Sequence, residues 1–161
     1  MTRIFLSLAM IGSLVSGNAW AAGHCVRPQD EMAMRTAALQ QQLMVAALSC
    51  GEIARYNQFV VTHRSELQQS DKALMAFFKR ENGARGTASY HAFKTKAANI
   101  SALESAKNRD AYCENARQAF DVAFDGKTMV LASFVRSQSN ATAELTCTGN
   151  SRHRRMARGA N

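Results

Sequence analysis

Beyond residue 27, apolar residues recur at intervals of three and four along most of the chain, which is the spacing of one face of an α-helix. The first such stretch opens on Pro28, which suits a first helical position, and on Asp30 and Glu31, which complement the positive end of the helix dipole. Its stripe reads Met32, Leu39, Leu43, Ala46, Cys50; the helix runs to about Ser49, and Gly51 supplies the stop. A second helix from about Glu52 is predicted by Ile53, Tyr56, Val60, His63 and Leu67. Ser65 or Ser70 can cap a third, which carries Leu74, Phe77 and Phe78 and ends in a glycine-bearing break over residues 81–86. Thr87 can cap a fourth, with Tyr90, Phe93, Ala97, Ile100 and Leu103 on one side. Asn108 or Asp110 starts a fifth, with Tyr112, Cys113, Ala116, Phe120 and Phe124, closed by Gly126. Residues 127–137 suit either a short helix or a buried strand, and helix is the preferred reading. The predicted fold class is therefore all-α, a compact bundle of five to six helices with two disulfides.

The two ends of the chain read differently from its middle. Arg3 precedes an apolar run over residues 4–15, and the polar Ser16, Gly17 and Asn18 lead into Ala19-Trp20-Ala21. Small residues at the third and first places before a cut suit signal peptidase, so residues 1–21 read as a signal peptide, with cleavage after Ala22 as the alternative. The run is shorter than the roughly 20 apolar residues of a spanning helix, so no transmembrane anchor is expected after processing. Cleavage after Ala21 removes Arg3 alone among the charged residues, leaving 19 Lys and Arg against 12 Asp and Glu. Four of those cations, Arg152, Arg154, Arg155 and Arg158, fall in the last ten residues without an acid among them. Residues 22–147 thus form one helical domain and residues 148–161 a basic tail with the composition of a disordered segment.

All four cysteines, Cys25, Cys50, Cys113 and Cys147, follow the expected cut, and an even number there points to two disulfides in an oxidising compartment, periplasmic or secreted. Their spacings contain no CxxC, which argues against a zinc site or a thioredoxin-like pair. Three pairings are possible, and cysteine positions alone do not choose among them. The helical stripes favour Cys50 with Cys113 and Cys25 with Cys147, since Cys50 and Cys113 both fall on core-facing positions.

The strings Ala46-Ala47-Leu48-Ser49-Cys50, Tyr56-Asn57-Gln58-Phe59-Val60, Tyr90-His91-Ala92-Phe93-Lys94-Thr95 and Tyr112-Cys113 resemble those of small exported four-cysteine helical proteins from alphaproteobacteria. The resemblance spans roughly residues 25–125. It implies an envelope location and no particular activity, and the Arg-rich end lies outside it.

Candidate chemistry is sparse. GxSxG, HExxH, P-loop and GxGxxG motifs are all absent, no cofactor is implied, and the balance leans away from an enzyme. A mature chain beginning Ala22-Gly23-His24 offers an amine, two amides and an imidazole for square-planar Cu(II) or Ni(II), against the plain alternative that His24 stands third by chance. Met32, Met34, Met44 and Met75 suit Cu(I), but Met32 and Met34 fall on nearly opposite helix faces and core packing is the preferred reading for most of them. His63 shares an apolar stripe and reads as a hydrogen-bonded core residue. His91, with Lys94 and Thr95 on the same face, allows an anion patch or a general base, though a solvated face is the simpler reading. Asp110, Glu114, Asp121 and Asp125 make an acidic ridge interrupted by Arg117, as expected of an exposed, ion-paired face. The tail cations Arg152, Arg154, Arg155 and Arg158 suit electrostatic docking on an anionic envelope surface or an acidic protein. Without aromatic residues among them, specific nucleic-acid recognition is not expected. The leading expectation is an exported, non-enzymatic binding or structural module; the alternative is a periplasmic enzyme or Cu/Ni-handling factor built on His24, His91 or the acidic ridge.

Overall fold

The computed structural model describes residues 26–124 and 130–138, which fold into six α-helices and one 3-10 turn, with no strand among the described residues. Helix α1 is Pro28–Cys50, α2 Ile53–Thr62, α3 Arg64–Asn82, α4 Gly86–Lys107, α5 Arg109–Phe124 and α6 Leu131–Ser137; Gly83–Arg85 is the 3-10 turn. No helix among the described residues is long and apolar enough to cross a membrane.

Helix α1 is the axis of the bundle and touches all five other helices. Its composition explains this. Ala33, Ala37, Ala38, Ala46 and Ala47 are all buried, so neighbouring helices approach on several sides, while Leu39 and Leu43 fill the gaps between them. Twenty-three residues give it a length of about 34 Å. It ends at Gly51, whose left-handed φ of 77° carries the N–H back to Ala47 O. At its start, Asp30 is only 4% exposed and is held by Arg27 Nε at 2.9 Å and by Arg80 Nη2 of α3 at 2.8 Å. The acid that complements the dipole also ties α1 to the end of α3.

Three apolar clusters surround this axis. The largest gathers Leu39, Leu43, Phe59, Leu67, Phe120 and Phe134 with residues of α5 and α6; a second joins Ala33, Met34, Ala37, Leu74 and Tyr90; a third sits at the far end around Ala46, Tyr112, Cys113 and Ala116. Met34 is buried in the second cluster, Met75 packs against it and Met32 packs against the first, so packing accounts for these three methionines.

Several boundaries depart from the helical periodicity. The predicted second helix breaks at His63, and α3 starts at Arg64 rather than at a serine cap. Phe59 is the buried anchor of α2, at 1% exposure, with Tyr56 and Val60 partly buried beside it, while Ile53 at the start of the helix is 51% exposed. Helix α4 begins at buried Gly86, one residue before the expected Thr87 cap. Its core face drifts onto Ser101 and Ser105, which leaves Leu103 62% exposed. Asn108 does cap α5, its Oδ1 accepting from Ala111 N at 3.1 Å. Residues 131–137 are helix; residues 127–129 lie outside the described part.

His63 is 2% exposed, its ring packs 5.1 Å from Phe59, and its Nδ1 lies 2.9 Å from Glu66 Oε2, where the imidazole donates to the carboxylate; Nε2 has no partner among the described residues. The other oxygen of Glu66 accepts from Leu131 N at 3.0 Å, so one carboxylate holds both the α2–α3 corner and the start of α6. Replacing Glu66 with alanine is expected to cost about 2 kcal/mol, because a buried imidazole and a helix-end N–H lose a charged acceptor. Hydrogen exchange should accelerate at Phe134 and Val135 before it does in α1; unchanged protection of α6 would show that apolar packing alone docks it.

Candidate functional site

Where α2, α3 and α4 meet, the surface opens into a groove of about 580 Å³. Arg64 and Lys72 of α3 and Lys94 of α4 stand around it, Val60 and Leu67 contribute apolar carbon, and among the described residues Asp71 is its only carboxylate. Arg64 and Lys72 are exposed and have no carboxylate within ion-pairing distance among the described residues. Gln40 of α1 and Gln68 of α3 complete the lining.

Asp71 is already committed. Tyr90 donates its hydroxyl proton to Asp71 Oδ1 at 2.6 Å, and Lys94 Nζ reaches the same oxygen at 3.1 Å and the Tyr90 hydroxyl at 3.0 Å. The ammonium also stands 5.1 Å from the Tyr90 ring centroid, within cation–π range. The sequence makes this trio possible in two steps. Tyr90 and Lys94 are four apart and share a face of α4, and the antiparallel packing of α3 brings Asp71 to them across the helix interface. With one carboxylate consumed by one of three cations, the groove keeps a net positive field.

The trio also sets local protonation. Burial and the hydrogen bond to the Asp71 carboxylate push the Tyr90 phenol up. Burial pulls the Lys94 ammonium down, but its bonds to Tyr90 and Asp71 outweigh this and hold it above its ordinary value. Tyr56 is raised chiefly by burial, against the opposing effect of the Gln40 side chain; Tyr112 is raised by burial, with Ser101 opposing. These are all three tyrosines of the chain. Each contributes stability that is fully present below pH 10.0, the phenol's ordinary value, and is lost as pH rises through the higher folded value. The midpoint of tyrosinate absorbance in the folded protein is therefore expected to lie above pH 10.0, with stability falling as the phenols ionise. A phenol titrating at its ordinary value in the folded protein would contradict this arrangement.

The other candidates are scattered. His91 is exposed, and its ring meets Tyr90 edge-on at 4.9 Å, while Lys94 turns inward to Asp71. The carboxylate beside this segment thus serves Tyr90 and Lys94, and His91 takes no part. On the acidic ridge Glu114 pairs with Arg117 at 2.9 Å, its carboxyl lowered by that bond, and Asp121 binds Arg55 of α2. Asp110 is exposed, and Asp125 lies outside the described residues. Cys50 and Cys113 form a disulfide with Cα atoms 5.5 Å apart, pinning the end of α1 to the start of α5. Cys25, Cys147, His24, Arg152, Arg154, Arg155 and Arg158 lie outside the described residues. Among the described residues no three His, Cys, Asp or Glu side chains gather as a metal site would require. No protein-family model, no curated protein and no solved structure matches the chain.

Proposed function

We propose that this chain is an exported, disulfide-stapled helical module that works by binding an anionic partner and not by catalysing a reaction. The observation that carries the proposal is the groove itself, where Arg64, Lys72 and Lys94 face a single carboxylate already bonded to Lys94 and Tyr90. A cationic hollow on a helical scaffold attracts anions and offers fixed donors to them. The basic segment with Arg152, Arg154, Arg155 and Arg158 adds positive charge to the chain and draws the protein to anionic surfaces or acidic proteins.

Export is supported by three features: the signal-like run ahead of Ala21, the resemblance to small exported four-cysteine helical proteins, and the Cys50–Cys113 bridge, a bond that persists in oxidising compartments. With those two cysteines bonded to each other, Cys25 and Cys147 remain as the second pair. Non-reducing peptide mapping of the exported protein is expected to find both bridges.

Titrating the mature protein with inorganic phosphate tests the binding reading. Arg64→Glu with Lys72→Glu is expected to weaken phosphate binding at least tenfold, and added salt should weaken the unaltered protein in the same direction. Both residues are exposed, so the fold should survive the change. Affinity that ignores charge reversal and salt would refute the proposal.

A further inference from the structure

The groove that takes the anion is not polar throughout. Arg64, Leu67, Asp71 and Lys72 follow one another along α3, so Leu67 lies between a cation at one end and the Asp71–Lys72 turn at the other. Val60, on the last turns of α2, lies beside it; it is half-buried and packs against the largest apolar cluster. Lys94 joins the Asp71 end, where Tyr90 and Asp71 fix its ammonium. A bare phosphate would meet only the cations and leave the exposed part of Val60 to water; Leu67, only 6% exposed, adds a little to that apolar surface. At about 580 Å³ the hollow is far larger than one phosphate needs and lies in the range of small-molecule sites.

We infer that this groove binds a small amphiphilic anion, a single phosphate or carboxylate head on a short alkyl body. The inference rests on the anion-binding reading above and names the class of ligand for that same site. The head sits at the Lys72–Lys94 end, against an ammonium already held in place, which reduces the ordering that binding must impose. The alkyl body lies over the exposed part of Val60 and the small accessible edge of Leu67, and the aliphatic stem of Arg64 covers it while the guanidinium stays in water. Asp71 has two roles in this arrangement. It orients Lys94, and its charge offsets part of the attraction at that end, so a head of low charge is accommodated better than a polyanion.

The test compares inorganic phosphate, methyl phosphate, hexyl phosphate below its micelle concentration, and hexanol on the full mature chain by calorimetric titration. Each fully buried methylene is worth up to about fourfold in affinity, and partial burial of the body should bring hexyl phosphate at least tenfold below methyl phosphate in Kd. Hexanol should not bind measurably. Val60→Asn is expected to bring hexyl phosphate close to methyl phosphate without altering methyl phosphate binding, whereas Lys72→Glu should weaken both. Equal affinity for methyl and hexyl phosphate would overturn the amphiphile inference and leave the anion reading standing. Failure of every phosphate to bind would remove both. If the protein binds phosphatidylglycerol vesicles but not soluble hexyl phosphate, the inference is also overturned, because the recognised feature is then a surface and not a single amphiphile. Should Val60→Asn disturb the fold, Lys72→Glu together with the comparison across alkyl lengths still decides.

Discussion

Replacing Cys50 and Cys113 together with serine is expected to lower stability by about 4 kcal/mol, the chain-entropy value for a bridge closing a 63-residue span. The span explains the size of the effect. The bridge joins the last residue of α1 to α5 and closes a loop that contains α2, α3 and α4 entirely. The apolar cluster around it is the smallest of the three and consists mainly of alanine with Tyr112, so packing at this end supplies little to replace it. Two hydrogen bonds also join α1 to α5 at this junction, Arg109 donating to Ser49 O and Tyr112 to Gln42 O at 3.1 Å, but each contributes only about 1 kcal/mol. In denaturant titration at constant m, the serine pair should therefore move the midpoint substantially, with a fall in Tm on the order of 15 °C. Hydrogen exchange should rise first in the opening turns of α5, around Tyr112 and Ala116. A loss below 1 kcal/mol would mean that the helices hold this end without the covalent tie.

The helical pattern carried most of the fold, and the reason is local. Pro28, the Asp30–Glu31 pair, Gly51 and the Asn108 cap act within one turn of their own position, so their meaning can be read without knowing what packs against them. The Cys50–Cys113 pairing was readable for a related reason, since both cysteines fall on stripes that must face other helices. The groove was not legible. In the sequence Tyr90 reads as part of the apolar stripe and Lys94 as a partner of His91, while Asp71 is 19 and 23 residues from them on another helix, and only the packing of α3 against α4 makes Asp71, Tyr90 and Lys94 a unit. Nothing in the spacing of Arg64 and Lys72 distinguishes them from ordinary solvated cations of α3. Glu66 was hidden in the same way: its partners are His63, one turn earlier, and a backbone N–H 65 residues later. The missed break at His63 has a different cause. His63 N still donates to Phe59 O at 3.0 Å and Leu67 N to His63 O at 2.9 Å, so hydrogen bonding nearly runs through the corner and periodicity alone does not reveal it.

Gly86→Ala is expected to be the most damaging single-atom change in the chain, at about 3 kcal/mol. A Cβ at this position would stand 2.5 Å from Lys79 Cα and 2.8 Å from both Lys79 N and Phe78 O. Every one of these atoms is backbone, so no rotamer change relieves the clash and the two helices must move apart. Conformation is not the issue, because Gly86 has φ −55° and ψ −43°, ordinary helical values open to any residue. Gly51 supplies the contrast: its φ of 77° disfavours a side chain, but nothing lies within 4 Å of the added carbon, so Gly51→Ala should cost only about 1 kcal/mol. The reach of the two changes should differ as well. Gly86 opens the helix that presents Tyr90 and Lys94 one and two turns later, and prising α4 from α3 pulls both away from Asp71. Gly86→Ala should therefore weaken phosphate binding and bring the Tyr90 phenol back toward its ordinary value, neither of which Gly51→Ala should do. If Gly86→Ala proves no more destabilising than Gly51→Ala and leaves the Tyr90 titration unmoved, the close approach of α3 and α4 is not what holds Asp71, Tyr90 and Lys94 together.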